Sequence, residues 1–204
     1  MKFDYDGKRR VKPLLVDRNK EVGEINVPDG LIDVTDPCYD ETTWCAQFGL
    51  KIKAGKYKCY VTVVNYRDRY EYEARDFFND RVDGLKPKKI GKHYTLDDMR
   101  IVELIMVHED YLSVLEKPGW RQISSNIGVD AGLCGFYNHK PDFDGDDVWL
   151  DFCNNLKEYS ETCHSVCDIK DYGITVSSCF GDGCYRLYAI NHNTDKIALR
   201  LKFY

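Results

Sequence analysis

YRLYAINHNTDKIALRLKF, residues 185–203, decides the fold. Toward its end Ile197, Leu199, Leu201 and Phe203 alternate with Ala198, Arg200 and Lys202, the period of two that sends successive side chains to opposite faces of a strand. Residues 185–190 form a second strand, and the polar stretch 191–196 predicts the turn that joins the two into a hairpin. A hairpin with one apolar face is not stable alone, so the rest of the chain must supply strands to cover it.

Working outward, residues 101–108, IVELIMVH, are apolar on both faces apart from Glu103, which suits a central strand buried from two sides. Leu31 to Thr35 is a shorter strand, stopped at Asp36-Pro37 because proline can neither donate to a ladder nor continue into a helix. Residues 49–53 and 57–66 flank Ala54-Gly55-Lys56 and predict another hairpin, with Tyr57, Cys59, Val61 and Val63 on one face. Residues 172–177 add one more strand. The stretch 67–99 carries both signs of charge together with Gly84, Pro87 and Gly91, and reads as an excursion from the β framework with one helical turn around 73–78. A single substantial helix is expected near 148–159, capped by Asp147, because Trp149, Phe152, Cys153 and Leu156 recur at helical spacing. The expected fold class is therefore mainly β (α+β): a two-sheet sandwich or open barrel carrying that one helix, with residues 1–204 forming one domain.

The composition narrows the function classes. Hydrophobic residues make up 43% and charged residues 31%, which excludes a disordered tail, and the 15 Tyr and 9 Phe favour strands. The longest apolar run is far too short to span a bilayer, and MKFDYDGKRR at the start lacks the apolar core of a signal peptide. A cytoplasmic protein is expected, with no membrane partner. Nine cysteines, an odd number in a chain of this size without an export signal, are expected as reduced thiols. A net charge of -5 argues against duplex nucleic acid as a partner, since phosphate contacts need clustered Lys and Arg. The basic residues Lys86, Lys88, Lys89 and Lys92 are balanced by Asp80, Asp83, Asp97 and Asp98 and read as a solvated loop.

Chemistry-bearing residues concentrate in aspartate-glycine loops. Gly181-Asp182-Gly183 places a carboxylate between two residues that accept positive φ, which either builds a tight turn or lets a ligand approach the backbone. Val129-Asp130-Ala131-Gly132 puts a second carboxylate at a strand end, and Tyr185 follows directly on the first loop. Asp36 reads as a loop-starting residue whose side chain satisfies nearby backbone N–H groups. Cys163 and Cys167 with His164 only partly match zinc spacing; with Cys153, Leu156 and Ser160 they read better as a continued helical stripe, so no metal is assigned. Asp142, Asp144, Asp146 and Asp147 resemble a calcium loop, but Gly145 is out of place and Cys153 stands where the twelfth-position glutamate belongs, so they read as a capped helix start. Cys134 with His108 or His139 is a nucleophile pair for which the sequence supplies no proximity. No P-loop, Rossmann fingerprint, nucleophile elbow or zinc-protease motif is present, and no cofactor is implied.

Asp36-Pro37-Cys38-Tyr39 with Trp44-Cys45 (DPCY…WC), then Val129-Asp130-Ala131-Gly132 (VDxG), then Gly181-Asp182-Gly183-Cys184-Tyr185 (GDGxY), taken in this order, resemble a domain-of-unknown-function family of bacterial and phage proteins. The resemblance covers roughly residues 30–204. That family has no assigned activity, so the resemblance implies no catalytic residue. The expected function is a non-catalytic binding protein with a small-molecule pocket at the strand-end loops, formed by Asp130, Gly132, Asp182, Gly183 and Tyr185. Its ligand is expected to be a small molecule or a nucleotide-like signal; in the phage setting the resemblance allows, the protein would sequester that signal as an anti-defence factor. Two alternatives stand beside it: a divalent-metal-dependent hydrolase using Asp130 and Asp182, and a protein-protein interaction or inhibitor module. A homo-oligomer is left open.

Overall fold

The computed structural model describes residues 9–10, 13–66, 70–73, 88–90, 93–95, 98–138, 154, 156–158, 165–169 and 173–204. Most of them form antiparallel strands. One six-stranded sheet runs, edge to edge, through Arg121–Val129 (β10), Gly183–His192 (β15), Asp195–Lys202 (β16), Met99–His108 (β9), Gly55–Asn65 (β5) and Leu14–Val27 (β2). A second runs through Lys157–Glu158 (β12), Ser165–Ile169 (β13), Gly173–Ser177 (β14), Leu133–Tyr137 (β11), Leu31–Thr35 (β3) and Gln47–Lys51 (β4). Arg9–Arg10 (β1), Tyr70–Glu73 (β6), His93–Thr95 (β8) and Lys88–Ile90 (β7) make a small four-stranded sheet. The two large sheets are open-edged and stack as a sandwich, as expected of the mainly-β class. Among the described residues no helix is long and apolar enough to cross a membrane.

The alternation in the sequence explains the layers. Leu199 and Leu201 of β16, Leu104 and Met106 of β9, and Cys59, Val61 and Val63 of β5 point inward against Ile32, Val34, Phe136, Ile174 and Val176 of the second sheet. The opposite face of β9 is apolar too: Ile105 and Val107 join Tyr60 and Ala198 in a smaller outer cluster, covered by Val114, Leu115 and Trp120 from the segment that follows β9. A strand buried on both faces needs apolar residues at nearly every position, which is how residues 101–108 read apart from Glu103. That segment opens with a 3₁₀ turn at Glu109–Val114.

The final hairpin forms as expected but turns more tightly, at Asn193 and Thr194, with Asn193 in the left-handed region at φ 54°. Asparagine tolerates that conformation better than most residues. The 49–53/57–66 hairpin is corrected: β4 pairs with β3 in one sheet, β5 pairs with β2 and β9 in the other, and the residues between them cross the sandwich. Ile52 is buried in that crossing, its N–H donating to Gly30 O at 2.9 Å, while Lys53 N–H reaches Lys196 O at 2.9 Å. These long-range bonds outweigh sequence adjacency. Most of the helix expected at 148–159 lies outside the described residues, but Lys157–Glu158 is a strand paired with β13, so a helix cannot run to 159. Cys167 likewise sits on a strand, which removes the helical reading of the 163–167 stripe at that position. Within the charged excursion, 70–73, 88–90 and 93–95 are strands; the helical turn expected at 73–78 lies otherwise outside the described residues.

Candidate functional site

Three connections meet at one end of the sandwich. Residues 130–132 carry the chain from β10 to β11, 178–182 carry it from β14 to β15, and 36–46 lead from β3 to β4. Val129 pairs with Gly183 across the β10–β15 ladder, Ser178 N–H donates to Gly132 O at 3.0 Å, and the space a Cβ at Gly132 would take lies 3.8 Å from the Gly181 Cα. The loops carrying Asp130 and Asp182 are therefore neighbours.

Asp36 organises this end. It is fully buried; Oδ1 accepts Cys38 N–H at 2.7 Å, and Oδ2 accepts Asp130 N–H at 2.8 Å and Ala131 N–H at 2.7 Å. One carboxylate at the end of β3 thus holds the turn that leaves β10, tying one sheet to the other. That is the N–H-satisfying role its place before proline suggests. Asp130 in turn accepts the Tyr39 hydroxyl at 2.8 Å, and the Tyr39 phenol is pushed up by desolvation and then by that bond. Asp182 is exposed. The Tyr185 hydroxyl points into its own turn, 2.6 Å from Gly181 O and 3.0 Å from Ser178 O, while its ring stands edge-on to Phe203 at 5.2 Å. Gly132 and Gly183 adopt φ of 66° and 155°, the backbone conformations these turns require. So the five expected site residues share one end, where Tyr185 and both glycines build the turns and the two carboxylates face outward. Trp44, in the 36–46 loop, is 80% exposed.

The other sequence candidates separate. Cys134 is buried, and burial followed by the nearby Asp36 charge pushes its thiol up, the opposite of an activated nucleophile. His108 stands at the far end of β9 from Arg100, which reaches the 178–182 turn through Cys179 O at 2.6 Å. Its ring packs on Tyr57 and Tyr111, with Nε2 3.1 Å from Ala54 O. His139, His164 and Asp142 to Asp147 lie outside the described residues. Among the described residues no three His, Cys, Asp or Glu side chains gather as metal ligands would.

A concavity lies on the outer face of the β2-to-β10 sheet: a groove of about 800 Å³, bounded by the N-terminal half of β2, the 115–120 segment and Tyr204. Its floor is polar at the centre. Glu103 of β9 accepts the Thr62 hydroxyl at 3.2 Å and the Tyr204 hydroxyl at 3.4 Å, with Lys202 Nζ at 3.3 Å and Arg200 at 4.0 Å. The Arg200 guanidinium lies under the Trp120 indole, 4.0 Å from its centroid, and desolvation lowers its pKa against the pull of Glu103. Leu15, Val64, Val102 and Leu115 make the apolar walls, and Arg18 stands exposed at the rim. The Asn19 amide donates to the Glu116 carboxylate and closes one side.

Sequence reasoning missed this groove, although two signals for it are present. Glu103 is the one charge inside the central apolar strand, and Arg200 and Lys202 occupy the outward positions of the alternating C-terminal strand. Their adjacency depends on register: Glu103 pairs with Thr62 on one side and Lys202 on the other. Comparison of the chain with protein-family models, with curated proteins and with solved structures gives no match, so the functional reading rests on these residues and their geometry.

Proposed function

We propose that this chain is a non-catalytic, cytoplasmic binding protein, and that its small-molecule ligand, nucleotide-like signals included, occupies the groove on the outer sheet face rather than the strand-end loops. The observation that carries this reading is the Arg200–Trp120 stack lining a groove of about 800 Å³, a size and a mixture of apolar wall and few polar groups typical of ligand sites. An aromatic ring with a partly desolvated guanidinium against it offers a stacking surface and a cation together. By contrast, the polar groups of the Asp130 and Asp182 loops largely serve the turns themselves.

Incubation of the protein with a small-molecule cell extract, followed by ultrafiltration and mass spectrometry of what is retained, tests the reading. Retention of an unaltered compound that is lost in Trp120→Ala and kept in Asp182→Asn is the expected result. Loss in Asp182→Asn alone would move the site to the strand-end loops. Divalent-metal-dependent conversion of the compound would favour the hydrolase alternative, whose support is the neighbouring placement of the Asp130 and Asp182 turns.

A further inference from the structure

The hydrogen-bonding capacity of the groove is unbalanced. Its acceptors are engaged: Glu103 takes Thr62, Tyr204 and Lys202, and Glu116 takes Asn19. Its donors are not. Arg200 Nε and Trp120 Nε1 are both buried and both lack a partner, and an unsatisfied buried donor costs on the order of 1 to 3 kcal/mol. Native proteins leave few such groups, and two in one stack at the wall of one groove form a coherent set. The charges point the same way, since the lining carries Arg18, Lys117 and Arg200 against Glu103 and Glu116.

Resting on the groove reading, we infer that the ligand is an amphipathic anion: an apolar or planar body lying along Leu15, Val64 and Leu115, and one carboxylate, phosphate or sulfonate group that accepts from Arg200, Trp120 and Arg18. Both N–H groups are buried in the closed stack, so admission of the anion requires the indole to tilt off the guanidinium. The covering segment is suited to that movement. Residues 116–119 are exposed, and the Asn19 amide bond to the Glu116 carboxylate links the segment to β2. A tilt would uncover both donors together and bring the anionic group into the least hydrated part of the groove, where charge-assisted hydrogen bonds are strongest.

Two fluorescent probes of similar shape separate charge from apolar burial: 8-anilinonaphthalene-1-sulfonate, which is anionic, and N-phenyl-1-naphthylamine, which is neutral. The expected result is one site that binds the sulfonate at least about tenfold more tightly than the neutral probe, with a change in tryptophan emission. Arg18→Gln, at an exposed position that leaves the core untouched, should weaken the sulfonate about fivefold to tenfold, and Trp120→Phe, which keeps an aromatic ring but removes the N–H, should do likewise. Neither should shift the neutral probe more than about twofold. Equal binding of both probes, or a sulfonate affinity indifferent to both substitutions, overturns the anion assignment while leaving the groove as a binding site. Failure of both probes to bind overturns the groove reading along with it.

Discussion

At the scale of single residues, Asp36 and Asp182 show how one residue type takes opposite roles. Asp36 is buried and accepts three backbone N–H groups from two connections, whereas Asp182 is exposed in its turn. Asp36→Ala leaves those donors without an acceptor at the mouth of the sandwich, and a loss of about 3 kcal/mol or more in urea unfolding is expected. Asp182→Asn should stay within about 0.5 kcal/mol of the parent, because asparagine fits the same turn. The sequence made the Asp36 role readable through its position before Pro37 at a strand end. It could not show that Asp130 would be taken up by Tyr39, because 91 residues separate the two along the chain. The groove residues were harder still: Glu103, Arg200 and Trp120 carry no motif, and what unites them is register and the folding of the 109–120 segment over one face.

At the scale of elements, strands with unbroken alternation were legible and their pairing was not. The final hairpin and the central strand β9 follow from period and composition. β2 escaped because LLVDRNKEVGEINV, residues 14–27, has no sustained alternation, and its ladder with β5 is broken by three register shifts. Each bulge changes which face the following side chains take, so an edge strand of this kind erases its own signal. The 36–46 loop illustrates packing that no pattern announces. Cys45 O accepts Gly128 N–H at 2.7 Å, and a Cβ at Gly128 would lie 2.4 Å from Cys45 Sγ. Gly128→Ala should therefore cost about 1 to 3 kcal/mol by overpacking β10 against the loop. Adding Cys45→Ala removes the sulfur and should recover a substantial part of that loss, a coupling that a double-mutant cycle in urea measures directly.

At the scale of the whole molecule, buried phenols set the alkaline limit of stability. Burial pushes the Tyr57 hydroxyl up, and the phenols of Tyr60 and Tyr185 are also raised chiefly by desolvation. In the unfolded chain such groups release their protons near pH 10. Above that pH the unfolded state holds fewer protons than the native state, so stability is fully present below about pH 10 and falls as pH rises past it. Urea midpoints at pH 8 and pH 11 should show this fall. Tyr57→Phe, which loses the 2.5 Å bond to Lys53 O, should be less stable at pH 8 yet lose less between the two pH values. The strand order carries a different consequence, one for biosynthesis. In the larger sheet β16 lies between β15 and β9, so the strand synthesised after the other five of that sheet joins the early strands β2, β5 and β9 to the late pair β10 and β15. A nascent chain halted before Asp195 holds that sheet as two unconnected pieces with apolar faces exposed. The polypeptide must therefore stay soluble until translation has passed this hairpin, and chaperones that shield unpaired strands have their longest opportunity to act while it waits.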